Sequence, residues 1–292
     1  MSGTMIEPTL RHVQCLDPKG LHRMAYWQWG DPANPRVLVC VHGLSRQGRD
    51  FDTLAQALVD RYRVVCPDMV GRGRSDFLSD PAGYQIPTYV ADMVTLVARL
   101  DVERVDWVGT SMGGLIGMGL ASLPNGPIGR LVLNDVGPVI EYAALARIGG
   151  YLGAPASWAS LDEAADALWT ISQGFGPLTR EQWLALTAPM LKADGVRWKP
   201  HYDPAIALPF KAITPELAAA GQAALWQAYD AIRCPTLLLR GADSDLLSRG
   251  TARAMTERGP RARLREFAGV GHAPMLVAPD QIQAVREFLL AA

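Results

Sequence analysis

The sequence predicts a mostly parallel β-sheet wrapped by helices and interrupted once by a long helical segment. Three observations carry this. Short, near-continuous apolar runs alternate with helical patterns through the first half of the chain. From Gly137 to Ala231 no convincing buried strand appears. A strand pattern then resumes at Pro235 and the chain closes with a helix.

The elements follow in order. Residues 11–17 and 21–30 read as an antiparallel hairpin at one edge. Residues 36–41 form an apolar run ending in His42-Gly43, as expected of a strand buried on both faces. Residues 51–60 carry helical spacing through Phe51, Leu54, Ala55 and Leu58. Residues 63–66 are a second buried strand, stopped by Pro67. Residues 89–100 place Val90, Met93, Val94, Val97 and Leu100 on one helical face. A strand over 105–108 leads into a helix over 112–123, and a fourth strand covers 131–133. After the helical stretch come a strand over 235–240, a helix over 251–258, a strand over 263–267 and a helix over 281–290.

Composition narrows the function classes. The 292 residues are 49% hydrophobic and 20% charged, which suits a folded chain with a sizeable core. Twenty-eight Lys+Arg stand against 29 Asp+Glu, which gives no electrostatic reason to expect nucleic acid as a partner. No apolar run approaches a membrane span, and the opening residues show no leader pattern. Four cysteines without C-x-x-C spacing read as small buried hydrophobes in a reducing compartment, so a cytoplasmic location is expected. No H-E-x-x-H, cysteine–histidine cluster or phosphate loop is present, so no metal or organic cofactor is expected.

The strongest chemical signal is Gly109-Thr110-Ser111-Met112-Gly113, a G-x-S-x-G between a predicted strand and a predicted helix. Such a turn exposes the serine hydroxyl. Gly109 and Gly113 let the chain pass closely, and the helix directs its positive end at developing negative charge. His42-Gly43-Leu44 closes a buried strand. There, the Leu44 N–H pairs with the Met112 N–H as candidate oxyanion donors, while His42 is expected to shape the loop without moving protons. Gly271-His272 lies between the last strand and the last helix. With His42 set aside, His12 and His22 fall in the N-terminal hairpin and His201 in the helical segment, so His272 is the remaining histidine on a loop at the carboxyl end of a core strand and the expected base.

These motifs, with the run from Pro67 to Asp76 (PDMVGRGRSD), resemble the α/β-hydrolase superfamily over residues 20–292. The resemblance implies an eight-stranded, mostly parallel sheet with helices on both faces and an inserted all-helical cap. The core would comprise 1–136 and 232–292. The cap would comprise 137–231, following the strand that ends at Asp135. That segment holds 11 of the 22 aromatics, which implies a lid over an apolar acyl or alcohol pocket.

The acid departs from the family pattern. The usual G-x-x-D place holds Ser244, flanked by Asp243 and Asp245. Some relatives carry the acid instead after the strand that here ends at Asp135. An ungapped reading favours Asp135, with Ser244 bridging it to His272; Asp245 and then Asp243 are the alternatives. The implied activity is cleavage of small-molecule carboxylic esters of small to medium apolar acyl groups through an acyl-enzyme on Ser111. A lactonase, a carbon–carbon bond hydrolase of a ring-cleavage product, and a non-catalytic ligand-binding receptor on the same scaffold remain open. A dehalogenase is disfavoured because it needs an aspartate at position 111.

Overall fold

The computed structural model describes residues 6–291; the leader reading of the opening stretch falls partly outside them. An eight-stranded sheet forms from β1 (Thr9–Asp17), β2 (Gly20–Trp29), β3 (Val37–Val41), β4 (Arg63–Asp68), β5 (Val105–Thr110), β6 (Ile128–Asn134), β9 (Thr236–Gly241) and β10 (Arg263–Phe267). Its order is β1-β2-β4-β3-β5-β6-β9-β10. The hairpin β1–β2 is antiparallel and β2 joins β4 antiparallel; every later pairing is parallel.

The apolar runs behave as strands buried on both faces should. In β3, Val37, Val39 and Val41 face one layer, and Leu38 and Cys40 face the other. The first layer holds α2 (Ile86–Arg99), α3 (Met112–Ala121) and α9 (Arg249–Glu257), through Met93, Ile116 and Met255 among others. The second holds α1 (Asp52–Leu58) and α10 (Pro279–Leu290), through Leu54, Leu58, Val285 and Phe288. β3 is flanked by β4 on one side and β5 on the other. The strand order therefore reverses beside it, and a crevice opens at the carboxyl ends of the strands.

Between β6 and β9 the chain builds α4 (Tyr142–Tyr151), α5 (Leu161–Ser172), α6 (Arg180–Thr187), α7 (Ala207–Lys211) and α8 (Pro215–Ala231). An all-helical segment is not what forms. β7 (Leu191–Asp194) and β8 (Arg197–Pro200) make a separate antiparallel hairpin. Its two-residue loop is Gly195-Val196, between the paired Asp194 and Arg197, with Gly195 at φ 62°. The two strands are short and mostly exposed or half-buried, so no apolar run marks them in the sequence. Trp158 and Trp198 pack into a cluster of the segment's own residues, whereas Trp169, Phe175 and Trp183 pack together with Met275 and Val277 from the loop after β10.

Candidate active site

Ser111 sits between β5 and α3 with φ 51° and ψ −114°, a conformation that L-residues rarely adopt. The neighbouring glycines are sterically required. A Cβ on Gly113 would lie 2.0 Å from the Val41 carbonyl oxygen, and one on Gly109 would lie 2.2 Å from that of Gly113. The strand-to-helix turn is thus packed against β3, and the serine is thrust into the crevice.

Ser111 Oγ lies 3.0 Å from His272 Nε2, and His272 Nδ1 lies 2.7 Å from Asp135 Oδ2. Asp135 follows β6 directly, has φ 55° and is fully buried. Its own N–H donates to the Leu239 carbonyl at 2.8 Å, which ties the residue to β9. Oδ1 accepts from Gly241 N–H at 2.9 Å. Oδ2 accepts from the Ser244 hydroxyl at 2.6 Å. A buried carboxylate that meets three hydrogen-bond partners is fixed in direction. With Nδ1–H given to Asp135, His272 Nε2 is left as the acceptor for the Ser111 hydroxyl.

The other acid candidates lie elsewhere. Asp245 is exposed and paired with Arg147 at 2.8 Å. Asp243 is exposed as well. Ser244 does not bridge Asp135 to His272. Its hydroxyl donates to Asp135 and accepts the amides of Leu246, at 3.3 Å, and Leu247, at 3.1 Å. The serine at the family's usual acid place thus secures a carboxylate that comes from a different strand.

His42 is fully buried. Its Nδ1 donates to the Gly43 carbonyl at 2.7 Å, and Nε2 accepts the Met69 amide at 2.9 Å. Burial lowers its pKa to about 3, with the Arg72 and Arg46 charges acting in the same direction. It is a neutral tie between the ends of β3 and β4. Leu44 follows on this loop, and among the described residues no turn or loop hydrogen bond engages its N–H. Met112 opens α3, so its N–H has no acceptor within the helix. Met112 directly follows Ser111, and Leu44 lines both of the cavities that Ser111 lines.

Two cavities meet at Ser111 and Leu44. The smaller, about 290 Å³, is lined by His272, Trp158, Phe175, Trp183, Tyr151 and Ile171 among others. The larger, about 450 Å³, is lined by Met112, Leu115, Ile140, Phe210, Ile213 and Leu225 among others. The segment between β6 and β9 therefore covers the serine. Sequence patterns did not mark Arg46 and Asp50, which form a buried pair in the wall of the smaller cavity. Arg46 Nε and Nη2 meet the two Asp50 oxygens at 2.6 and 2.7 Å, and Nη2 also reaches the Leu186 carbonyl. Burial raises the Asp50 pKa against the pull of Arg46.

One cluster elsewhere has metal-ligand composition. Cys15, His22 and Asp92 place their polar atoms within 4.8 Å of one another in a buried setting. His22 Nε2 is 3.1 Å from both Asp92 oxygens, and this contact raises its pKa. Burial pushes the Cys15 thiol up to about 12, with the neighbouring Asp92 acting in the same direction. The group fastens the β1–β2 hairpin to α2 as a hydrogen-bonded pair.

Strand order, serine turn and the histidine after the last strand define an α/β hydrolase. Residues 38–285 match the alpha/beta hydrolase family, and the chain belongs to it. A 3-hydroxybutyrate-oligomer hydrolase from Cupriavidus necator is 57% identical over 289 residues, covering 98% of this chain and 99% of that protein. An α/β hydrolase from Novosphingobium aromaticivorans superposes with a TM-score of 0.85 at 36% identity, covering 98% and 99% of the two chains. A putative hydrolase from Rickettsia typhi gives 0.87 at 30% identity, covering 97% and 99%. No described helix is long and apolar enough to cross a membrane.

Proposed function

We propose that this protein is a serine esterase that cleaves short oligoesters of a hydroxy acid. The observation that carries this reading is the hydrogen-bonded chain Ser111–His272–Asp135 opening onto two largely apolar cavities. The 57% identity to an enzyme named for 3-hydroxybutyrate oligomers supports the substrate class.

In the proposed reaction, Ser111 Oγ attacks the ester carbonyl carbon while its proton passes to His272 Nε2. The carbonyl oxygen gains negative charge and is held by the N–H groups of Leu44 and Met112. The bond to the alkoxy oxygen then breaks, and His272 returns the proton to that oxygen as the alcohol leaves. Water attacks the acyl-enzyme, gives its proton to His272, and the carboxylic acid departs as Ser111 regains its proton. Asp135 remains ionised, fixing the histidine tautomer and stabilising the imidazolium. Residues 137–231 act as the cap that excludes bulk water and shapes both cavities.

The test compares hydrolysis of the 3-hydroxybutyrate trimer with that of p-nitrophenyl butyrate and of a lactone panel. Turnover of the trimer, together with labelling of Ser111 by a fluorophosphonate, is the expected result. Absence of both ester turnover and labelling in the folded protein overturns the reading and favours a binding role.

A further inference from the structure

The two cavities differ in how they stand to the reacting groups. Ser111 and Leu44 line both, His272 lines only the smaller, and Met112 lines only the larger. If Ser111 is the nucleophile and His272 the acid for the leaving group, the alkoxy oxygen of a bound ester must lie on the His272 side. The alcohol portion then runs into the smaller cavity and the acyl chain into the larger.

The cavities also differ in charge. Among the described residues, no charged side chain lines the larger one; its polar groups are Gln85, Gln222, Ser111 and the hydroxyls of Tyr84 and Tyr89. The smaller carries Arg46, Asp50, Arg147 and His272. Arg46 is committed to both oxygens of Asp50 and to the Leu186 carbonyl, and it is buried. Arg147 is different. It projects from α4 with its side chain 45% exposed. Its Nε and Nη2 both converge on a single oxygen of Asp245, at 2.9 and 2.8 Å, and among the described residues its Nη1 hydrogen-bonds no carboxylate. Tyr151, one turn later on the same helix, lies beside it in the cavity wall.

We infer that Arg147, oriented by Asp245, is a specificity-determining residue that binds a carboxylate carried on the leaving alcohol. This rests on the ester-hydrolase reading and adds a direction to it. In an oligomer of hydroxy acids each leaving unit is an alcohol, and only the unit at the carboxyl end bears a free carboxylate. With that carboxylate at Arg147 and the remaining chain in the uncharged cavity, hydrolysis releases hydroxy acid from the carboxyl end. The same arrangement disfavours an anionic acyl group.

The experiment uses two esters that differ in one charge, 3-(butyryloxy)butyric acid and its methyl ester, with p-nitrophenyl butyrate as a reference for ester cleavage. The native enzyme is expected to favour the free acid in kcat/KM, and added salt is expected to narrow that preference, because the pair is partly exposed. Arg147→Leu should reduce the free-acid to methyl-ester ratio by roughly tenfold or more, mainly through KM, as loss of a charged hydrogen bond implies. Arg147→Lys should restore part of the ratio. With a trimer acylated at its hydroxyl end, the first product should be unlabelled monomer. A native ratio near one, an unchanged ratio in Arg147→Leu, or first release of the acylated unit overturns the inference while leaving the esterase reading intact. Failure to cleave all three esters overturns the esterase reading and this inference with it.

Discussion

Ser244 donates its hydroxyl to Oδ2 of Asp135, the same oxygen that receives the imidazole of His272. An acid on β6 is thereby steadied by the loop that follows β9. The position where relatives usually carry the acid has become its support.

Asp135→Asn is expected to preserve the fold and cost about 10⁴-fold in kcat, because the amide no longer enforces the Nδ1–H tautomer. Asp245→Asn should cost under about tenfold on neutral esters, since an exposed pair contributes little. Steady-state kinetics on p-nitrophenyl butyrate decides the ranking, and the reverse order would move the acid to Asp245.

Ser244→Ala removes one of three donors to Asp135 and leaves the other two. The expected drop in kcat is intermediate, about tenfold, in line with one hydrogen bond to a charged group. Ser244→Thr, which keeps the hydroxyl, should recover most of it. A loss as severe as that of Asp135→Asn would mean that the hydroxyl does more than steady the carboxylate.

Ser111→Ala and His272→Ala should each lower kcat by about 10³-fold or more, and the double variant by little further, because the two side chains act as a unit. Additive losses in a double-mutant cycle would separate their roles.

Acid should weaken the fold through His42. Its pKa lies near 3 when folded and near its ordinary value of 6.5 when unfolded. As pH falls below 6.5 the unfolded chain binds a proton that the folded chain refuses. Stability attributable to this group therefore declines by about 1.4 kcal/mol per pH unit until about pH 3. Urea midpoints at pH 7, 6 and 5 should fall accordingly, and His42→Gln should flatten the slope even if it starts lower. A slope unaltered by that substitution would assign the acid sensitivity to other groups.

Removing one half of the Arg46–Asp50 pair should destabilise more than removing both. Arg46→Met strands a buried carboxylate and should cost about 3–5 kcal/mol, whereas Arg46→Met with Asp50→Leu should recover part of that. Thermal melts of the three proteins measure it. A double variant less stable than the single one would show that packing outweighs the charge.

Ser111 and Asp135 could be singled out in the sequence because each directly follows a strand pattern, and His272 because it lies between the last strand and the last helix. The central parallel strands β3, β4, β5, β6 and β9 were legible because buried parallel strands read as near-continuous apolar runs. What stayed hidden depends on contacts between distant parts of the chain. Ser244 was noticed, but its single hydroxyl proton goes to Asp135 and not to His272, which only the relative placement of two loops decides. Nothing in the sequence marks Arg46 or Arg147; their place in one cavity wall is seen only when α4, α6 and the loop after β3 are brought together. The β7–β8 hairpin was missed because four-residue, half-exposed strands leave no apolar signature; the glycine of its Gly195-Val196 loop was the available clue.

Helix α4 addresses both chambers from one short stretch: Leu145 faces the larger, Arg147 and Tyr151 the smaller, and Ile148 both. Successive residues on a helix are about 100° apart. A one-residue change of phase along this helix would carry the cation to the place of Ile148, against both chambers, or to that of Ala146, which lines neither, without moving Ser111, His272 or Asp135. If Arg147 binds the substrate as proposed, substrate polarity depends on the phase of one helix, a variable that evolution or design can turn independently of the chemistry.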